Sequence, residues 1–337
     1  MQMMKKDYLG RLHHIFATEK WGMNMAQQKK SFMKKTTSNI KLSFMKLMVK
    51  RGRNKLLKRL AKLSTKGEKF MVQRVDTAPV TTYLYRPKFG NGTLPVVFNV
   101  HGGAWVGGDA LLLDTQSQEM ADRLGAMVVN INYIKADVEP FPYAQYEIRD
   151  TVQYFAEHFT EYGIETQRFA LMGYSAGGHL CACAAQLLKE AGIALSCQVL
   201  CYPFLDFTFG QDEKNEFKES IDSDDGLGRI FFPGMDKTDP LVSPGVLPED
   251  KLQGLAPAII ITCGGDPLKP QADAYKLRLE KAGVPVTLFD FPESVHGFLE
   301  CNFPETEDTN AAKSPEQATQ CRAAEQAIAN ELRKIWN

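Results

Sequence analysis

The sequence predicts an α/β chain whose central sheet is mostly parallel, with helices on both faces. Three observations carry that expectation. From about residue 80 to residue 335, short apolar runs alternate with longer segments of helical spacing. The runs are apolar on successive residues, the pattern of strands covered on two faces rather than one. The chain has 337 residues, 44% of them apolar and 24% charged, enough to bury one large core of this kind. That composition excludes a disordered chain. No run of 18 uncharged apolar residues exists, which excludes a spanning helix. The basic start, MQMMKKDYLGRLHHIF, lacks the apolar core and the small-residue cleavage site of a secretory signal. Seven cysteines, an odd number without a CxxC pair, suit free thiols in a reducing cytoplasm rather than disulfides or a zinc site.

Residues 1–67 read as a basic helical cap or arm, and 68–337 as the α/β domain. Residues 1–75 hold 20 Lys and Arg against 3 Asp and Glu, while the remainder holds 20 against 37. No acid occurs from Lys20 through Gly67. Ile40, Phe44 and Leu47, then Leu56, Leu60 and Leu63, recur at helical spacing, with Lys46, Lys50, Arg53, Lys58 and Arg59 between them. The expectation is a helix whose apolar stripe packs on the core while its cations face water or the chain's own acidic remainder. Basic amphipathic helices also lie on membranes or touch nucleic acid. No aromatic interleaving supports a nucleic-acid partner, and peripheral membrane contact ranks below self-docking.

The elements then follow in order. Phe70–Val75 and Val80–Tyr85 read as strands around a turn at Ala78-Pro79. Val96–Val100 is a buried strand, Asp114–Leu124 a helix, Met127–Asn132 a strand and Tyr146–Phe159 a helix. Phe169–Met172 leads into a helix over Ala176–Ala191. Strands over Gln198–Cys201, Ile259–Thr262 and Val286–Asp290 follow, with a helix over Gln271–Ala282 and a closing helix over Pro315–Ile335. Residues 204–255, rich in Asp, Phe, Gly and Pro, are too long for a simple connection and read as an insertion over the functional end of the sheet.

Chemistry concentrates in a few places. Gly173-Tyr174-Ser175-Ala176-Gly177 fits G-x-S-x-G between a predicted strand and a predicted helix. Its glycines allow a tight turn that exposes the serine, and the helix N-terminus aims free N–H groups at its oxygen. A nucleophilic serine needs a base, and the base needs an acid to hold its tautomer. In the order Ser, acid, His, the only later histidine outside the elbow helix is His296; His179 sits one turn past the serine and is poorly placed. Asp266, after an apolar strand, is the leading acid, with Asp206, Asp290 and Glu293 as rivals. Val100-His101-Gly102-Gly103-Ala104-Trp105 follows the first buried strand, where main-chain N–H groups should face the serine. With the N–H of Ala176, such donors stabilise a tetrahedral oxyanion by roughly 3–4 kcal/mol. His101 reads as a brace for this loop.

HGGAW at 101–105, GYSAGGHL at 173–180, TDPLVSP at 238–244, GGDPLKPQADAYKLRLEKAGV at 264–284 and HGF at 296–298 resemble the hormone-sensitive-lipase-like esterase family of α/β-hydrolases. Pro140-Phe141-Pro142 is also similar to that family, and the likeness covers residues 68–335. It implies an α/β-hydrolase fold with helical caps, Ser175 as nucleophile, Asp266 as acid and His296 as base. Gly103, Ala104 and Ala176 would supply oxyanion donors, with Gly102 completing the loop. Ala104 stands where the family has a third glycine, Tyr174 where Asp is frequent, and Lys269-Pro270 where an acid is common. The implied activity is a serine carboxylesterase for short, acetyl-like acyl esters, acting on a small-molecule substrate without metal or organic cofactor. Arylformamidase-type amidases share HGG-W and G-x-SAG-HL, and the family also includes non-catalytic ligand-binding receptors, which typically lack the base.

Overall fold

The computed structural model describes residues 25–74, 78–89, 92–209, 228–234 and 236–337, with side chains from residue 39 onward. The chain start, the turn after Arg74 and part of the expected insertion (210–227 and 235) lie outside the described residues.

Eight strands form one sheet: β1 (Glu68–Val72), β2 (Val80–Tyr85), β3 (Leu94–Val100), β4 (Met127–Asn132), β5 (Ile164–Tyr174), β6 (Cys197–Cys201), β7 (Ala258–Cys263) and β8 (Val286–Phe291). Their order is β1-β2-β4-β3-β5-β6-β7-β8. β1, β2 and β4 pair antiparallel, and every later pair is parallel. All residues of β3, β6 and β7 are buried, whereas the edge strands β1 and β8 are partly exposed.

Alternation along each strand divides the core into two layers. Val96, Phe98 and Val100 share one layer with α3 (Tyr143–Glu157), α4 (Ala176–Glu190) and α5 (Lys269–Lys281), through Ile148, Phe155, Leu180 and Tyr275. Val97, Ala170 and Met172 share the other with α2 (Asp114–Leu124) and α6 (Pro315–Trp336), through Met120, Ile328 and Leu332. Each large apolar side chain removed from water in these layers contributes about 1.5–3 kcal/mol. The observed ends shift modestly from those expected. α5 starts at Lys269 because Pro270 is tolerated in a first turn, where its missing N–H has no partner to lose. β5 begins at Ile164, whose pairing with Leu94 extends the strand through polar residues that the apolar pattern hides.

The basic segment forms α1 (Met25–Leu60), and here one expectation is corrected. Ile40, Phe44, Leu47 and Leu63 are exposed. The packed face is instead Leu42, Met45 and Val49, which meet the α3–α4 layer, followed by Arg53, Leu56 and Leu60. Helical spacing generates both stripes on one helix. The one that stays compatible with burial over its whole length takes the core; the other runs into Arg51, Lys55 and Lys58. Arg53 is held by Asp137 at 2.5 and 2.7 Å and by the Val106 carbonyl at 3.2 Å. Lys66 and the turn after α1 fasten to buried Asp114, with the Lys66 amide 3.0 Å from its carboxylate.

Candidate active site

The parallel register builds the site. Val100 of β3 lies opposite Gly173 of β5, so the loop leaving β3 and the turn leaving β5 emerge side by side. Cys263 of β7 lies opposite Phe291 of β8, which brings together the loops that carry Asp266 and His296.

Ser175 occupies a strained corner, with φ 51° and ψ −116°, between β5 and α4. Its amide donates to the Cys201 carbonyl at 2.9 Å. A Cβ on Gly177 would collide with the Val100 carbonyl oxygen, so the elbow packs on the end of β3 only with glycine there. His296 bridges the other two groups. Its Nδ1 lies 2.6 Å from Asp266 Oδ2, and its Nε2 lies 2.9 Å from Ser175 Oγ. With the proton on Nδ1 directed at the carboxylate, Nε2 accepts the serine hydroxyl. The side chain of Asp266 is almost wholly buried, and its second oxygen accepts the Leu268 amide at 2.8 Å. The histidine loop is pinned by Gln317 of α6, which accepts the Val295 amide at 3.1 Å and donates to the Glu293 carbonyl at 2.9 Å. Two of the rival acids serve elsewhere. Asp206 accepts Thr208 in a turn, and Asp290 holds Lys269 at 2.8 Å and Thr262 at 2.7 Å.

The loop after β3 has three consecutive residues with positive φ, Gly103 at 119°, Ala104 at 50° and Trp105 at 62°. Gly103 needs its missing side chain, since a Cβ would fall 2.6 Å from the Gly107 carbonyl carbon. Among the described residues the amides of Gly103 and Ala104 have no acceptor, whereas the Gly102 amide donates to Glu300 Oε1 at 2.7 Å. Gly102 is therefore an anchor of the loop, with its donor already engaged. A cavity of about 520 Å³ opens beside it, between α1 and residues 300–310, lined in part by Lys55, Arg59, Gly102, Gly103, Glu300 and Asn310.

This geometry has known counterparts. A family model described as alpha/beta hydrolase fold matches residues 97–300, more than half of the chain. The chain belongs to the alpha/beta hydrolase fold family. It is 30% identical over 227 residues to an arylesterase of Saccharolobus solfataricus, covering 66% of this chain and 72% of the relative. To carboxylesterase NlhH of Mycobacterium tuberculosis it is 32% identical over 223 residues, covering 64% and 70%. Among solved structures, a variant of esterase rPPE superposes with a TM-score of 0.70 at 25% identity, covering 86% of this chain and 90% of the other. An arylesterase structure shows the same fold with a TM-score of 0.71. Together these make the chain a carboxylic ester hydrolase with the α/β-hydrolase fold that the motifs implied.

The roles of three groups in this hydrolase escaped the sequence reading. His179 is buried; its Nδ1 accepts the Trp105 indole N–H at 3.1 Å and its Nε2 lies 2.8 Å from the Val242 carbonyl. Burial pushes its imidazole down to about 4, so it stays neutral and clamps the loop after β3 to Val242. Lys135 is buried and donates to the Tyr133 carbonyl at 2.6 Å, while lying 3.1 Å from His101 Nε2. Burial pushes the lysine down to about 8, and burial together with the lysine charge holds His101 well below the usual imidazole range. His101, with Nδ1 2.6 Å from the Gly102 carbonyl, is thus a brace, as its place in the loop suggested. Glu300, two residues after HGF, is the third. Its one sequence signal is an acid directly after Phe298-Leu299, both fully buried.

Proposed function

We propose that this hydrolase cleaves short-chain carboxylic esters by two-step acyl transfer, with Ser175, His296 and Asp266 as its triad. The observation that carries the reading is the His296 imidazole, 2.9 Å from the Ser175 hydroxyl and 2.6 Å from the Asp266 carboxylate. Ser175 Oγ attacks the ester carbonyl as His296 Nε2 takes its proton. The new oxyanion is received by the amides of Gly103, Ala104 and Ala176, and Asp266 stabilises the imidazolium. His296 then gives the proton to the departing alcohol, activates water against the acyl-enzyme, and returns the serine to its free state.

A small acyl group is supported by the wall next to the oxyanion loop. Trp105 stacks on Phe231 at 4.5 Å and meets Phe204 and Phe207 at 5.3 and 5.4 Å, all of them buried. We read these packed rings as a wall that favours a short acyl group. We read α1 as a cap beside the site, since it forms one wall of the cavity next to Gly102. The seven free thiols support a cytoplasmic setting. The test is a panel of p-nitrophenyl esters from acetyl to palmitoyl, with matched acetanilides. Turnover concentrated at the short esters is expected and should vanish in Ser175→Ala. Preference for palmitoyl would overturn the chain-length reading, faster anilide cleavage would favour the amidase, and an active Ser175→Ala would remove the nucleophile.

A further inference from the structure

We propose that the outward face of α1 is a docking surface for an anionic lipid bilayer. The proposal concerns a surface away from the triad and does not depend on the catalytic reading. It starts from the two opposed stripes of α1. Leu42, Met45, Val49, Arg53, Leu56 and Leu60 are turned to the protein. Ile40, Phe44, Leu47, Arg51, Lys55 and Lys58 follow one another at three- and four-residue steps along the opposite side, Lys55 also reaching the cavity beside Gly102. The apolar members of that outer stripe are open to water: Ile40 is 66%, Phe44 62% and Leu47 44% exposed, with Met48 beside them at 49%. Arg51, Lys55 and Lys58 are exposed as well. The stripe is about 27 Å long at 1.5 Å per residue.

A row of large apolar side chains continued by cations, on a helix without a single acid, matches a surface helix whose apolar side enters the headgroup boundary while its cations meet lipid phosphates. The sequence adds Lys29, Lys30, Lys34 and Lys35 in the earlier turns of the same helix. No described helix is long and apolar enough to cross a bilayer, so the contact is peripheral.

A second copy of the chain fits less well. Pairing α1 with α1 antiparallel about a two-fold axis at the middle of the stripe would set Arg51, Lys55 and Lys58 against the apolar Leu47, Phe44 and Ile40 of the other copy. Pairing α1 with another part of a second copy requires a second apolar patch. Among the described residues the exposed large hydrophobics beyond α1 and the turn after it, where Leu57 and Leu63 are also exposed, are Met71, Phe89, Val138, Phe159, Leu277 and Val295, which lie on different elements. Acids near the docked helix are also in use, since Asp137, Glu307 and Asp114 hold Arg53, Arg59 and Lys66.

The test is flotation of the full chain with vesicles of phosphatidylcholine alone and of phosphatidylcholine mixed with phosphatidylglycerol. Binding to the mixed vesicles is expected to weaken as salt rises and to be slight on phosphatidylcholine alone. Each cation brought to an anionic surface strengthens binding by roughly fivefold, so Arg51→Glu with Lys58→Glu should reduce it by more than about twentyfold. Phe44→Ser with Leu47→Ser should reduce it by more than about tenfold. Because these side chains are exposed, both double variants should melt at the same temperature as the unaltered chain. No binding to mixed vesicles at low salt would overturn the proposal, as would equal binding to both vesicle types or full binding by either stably folded double variant. Concentration-dependent dimers abolished by Phe44→Ser with Leu47→Ser would assign the face to a second copy instead.

Discussion

Gly102 donates its amide to Glu300 across 198 residues of sequence, at 2.7 Å. The bond ties the start of a loop with three successive positive φ values to the turn that follows His296. A loop in that conformation costs free energy at each non-glycine position and persists only where its surroundings hold it. Glu300 is one such hold. Lys135 beneath His101 and the Trp105–His179 pair are the others.

Glu300→Ala should therefore lower kcat on a short ester by roughly tenfold, through loosening of the loop. Glu300→Gln keeps an acceptor oxygen for the Gly102 amide and should recover most of the loss. Equal activity in all three proteins would show that the loop holds without this anchor.

The same carboxyl predicts a pH dependence of stability. Burial holds Glu300 up, from the usual 4.5 to about 7. The native chain thus keeps a proton that the unfolded chain releases, and stability falls as pH rises from about 4.5 to about 7, with the full cost present above that. Glu300→Gln removes this titration. Its melting temperature should gain on that of the unaltered chain between about pH 5 and about pH 8, and a difference that stays constant with pH would refute the assignment.

Asp266→Asn should keep the fold and lower kcat by about 10⁴-fold, because an amide offers the wrong partner to His296 Nδ1 and leaves the imidazolium unstabilised. His296→Ala should cost at least as much. A nearly silent Asp266→Asn alongside a crippling change at Asp206, Asp290 or Glu293 would move the acid elsewhere.

His179→Ala should cost about 2–4 kcal/mol in urea unfolding, since it opens a cavity and strands both the Trp105 indole N–H and the Val242 carbonyl in a dry aromatic cluster. Activity should fall with it, while a stable variant of unchanged kcat would separate the clamp from the loop.

Arg53→Ala should cost about 3 kcal/mol, because it leaves the buried Asp137 carboxylate without its guanidinium partner. Limited trypsin digestion within α1 should accelerate in the variant. Unchanged digestion would show that the apolar face alone holds the helix.

The sequence by itself determined what neighbouring residues settle: the alternation that makes the sheet parallel, the glycines that shape the turn at Ser175, the small-residue loop after β3, and a helix with no acid in it. Each depends on local stereochemistry or on the spacing of apolar residues along one element. Tertiary structure decided which groups meet. His296 reaches Ser175 across 121 residues and Asp266 across 30, and only the β3–β5 and β7–β8 registers bring those loop ends together. Composition and spacing alone left four acids open, and the family likeness chose among them before any distance was known. On α1 two stripes satisfied the same helical spacing, and the choice fell to the one that stays compatible with burial along its whole length. Glu300 escaped for the same reason: a carboxylate acquires its task from the amide it faces, and the chain around it carries no mark of a partner 198 residues away.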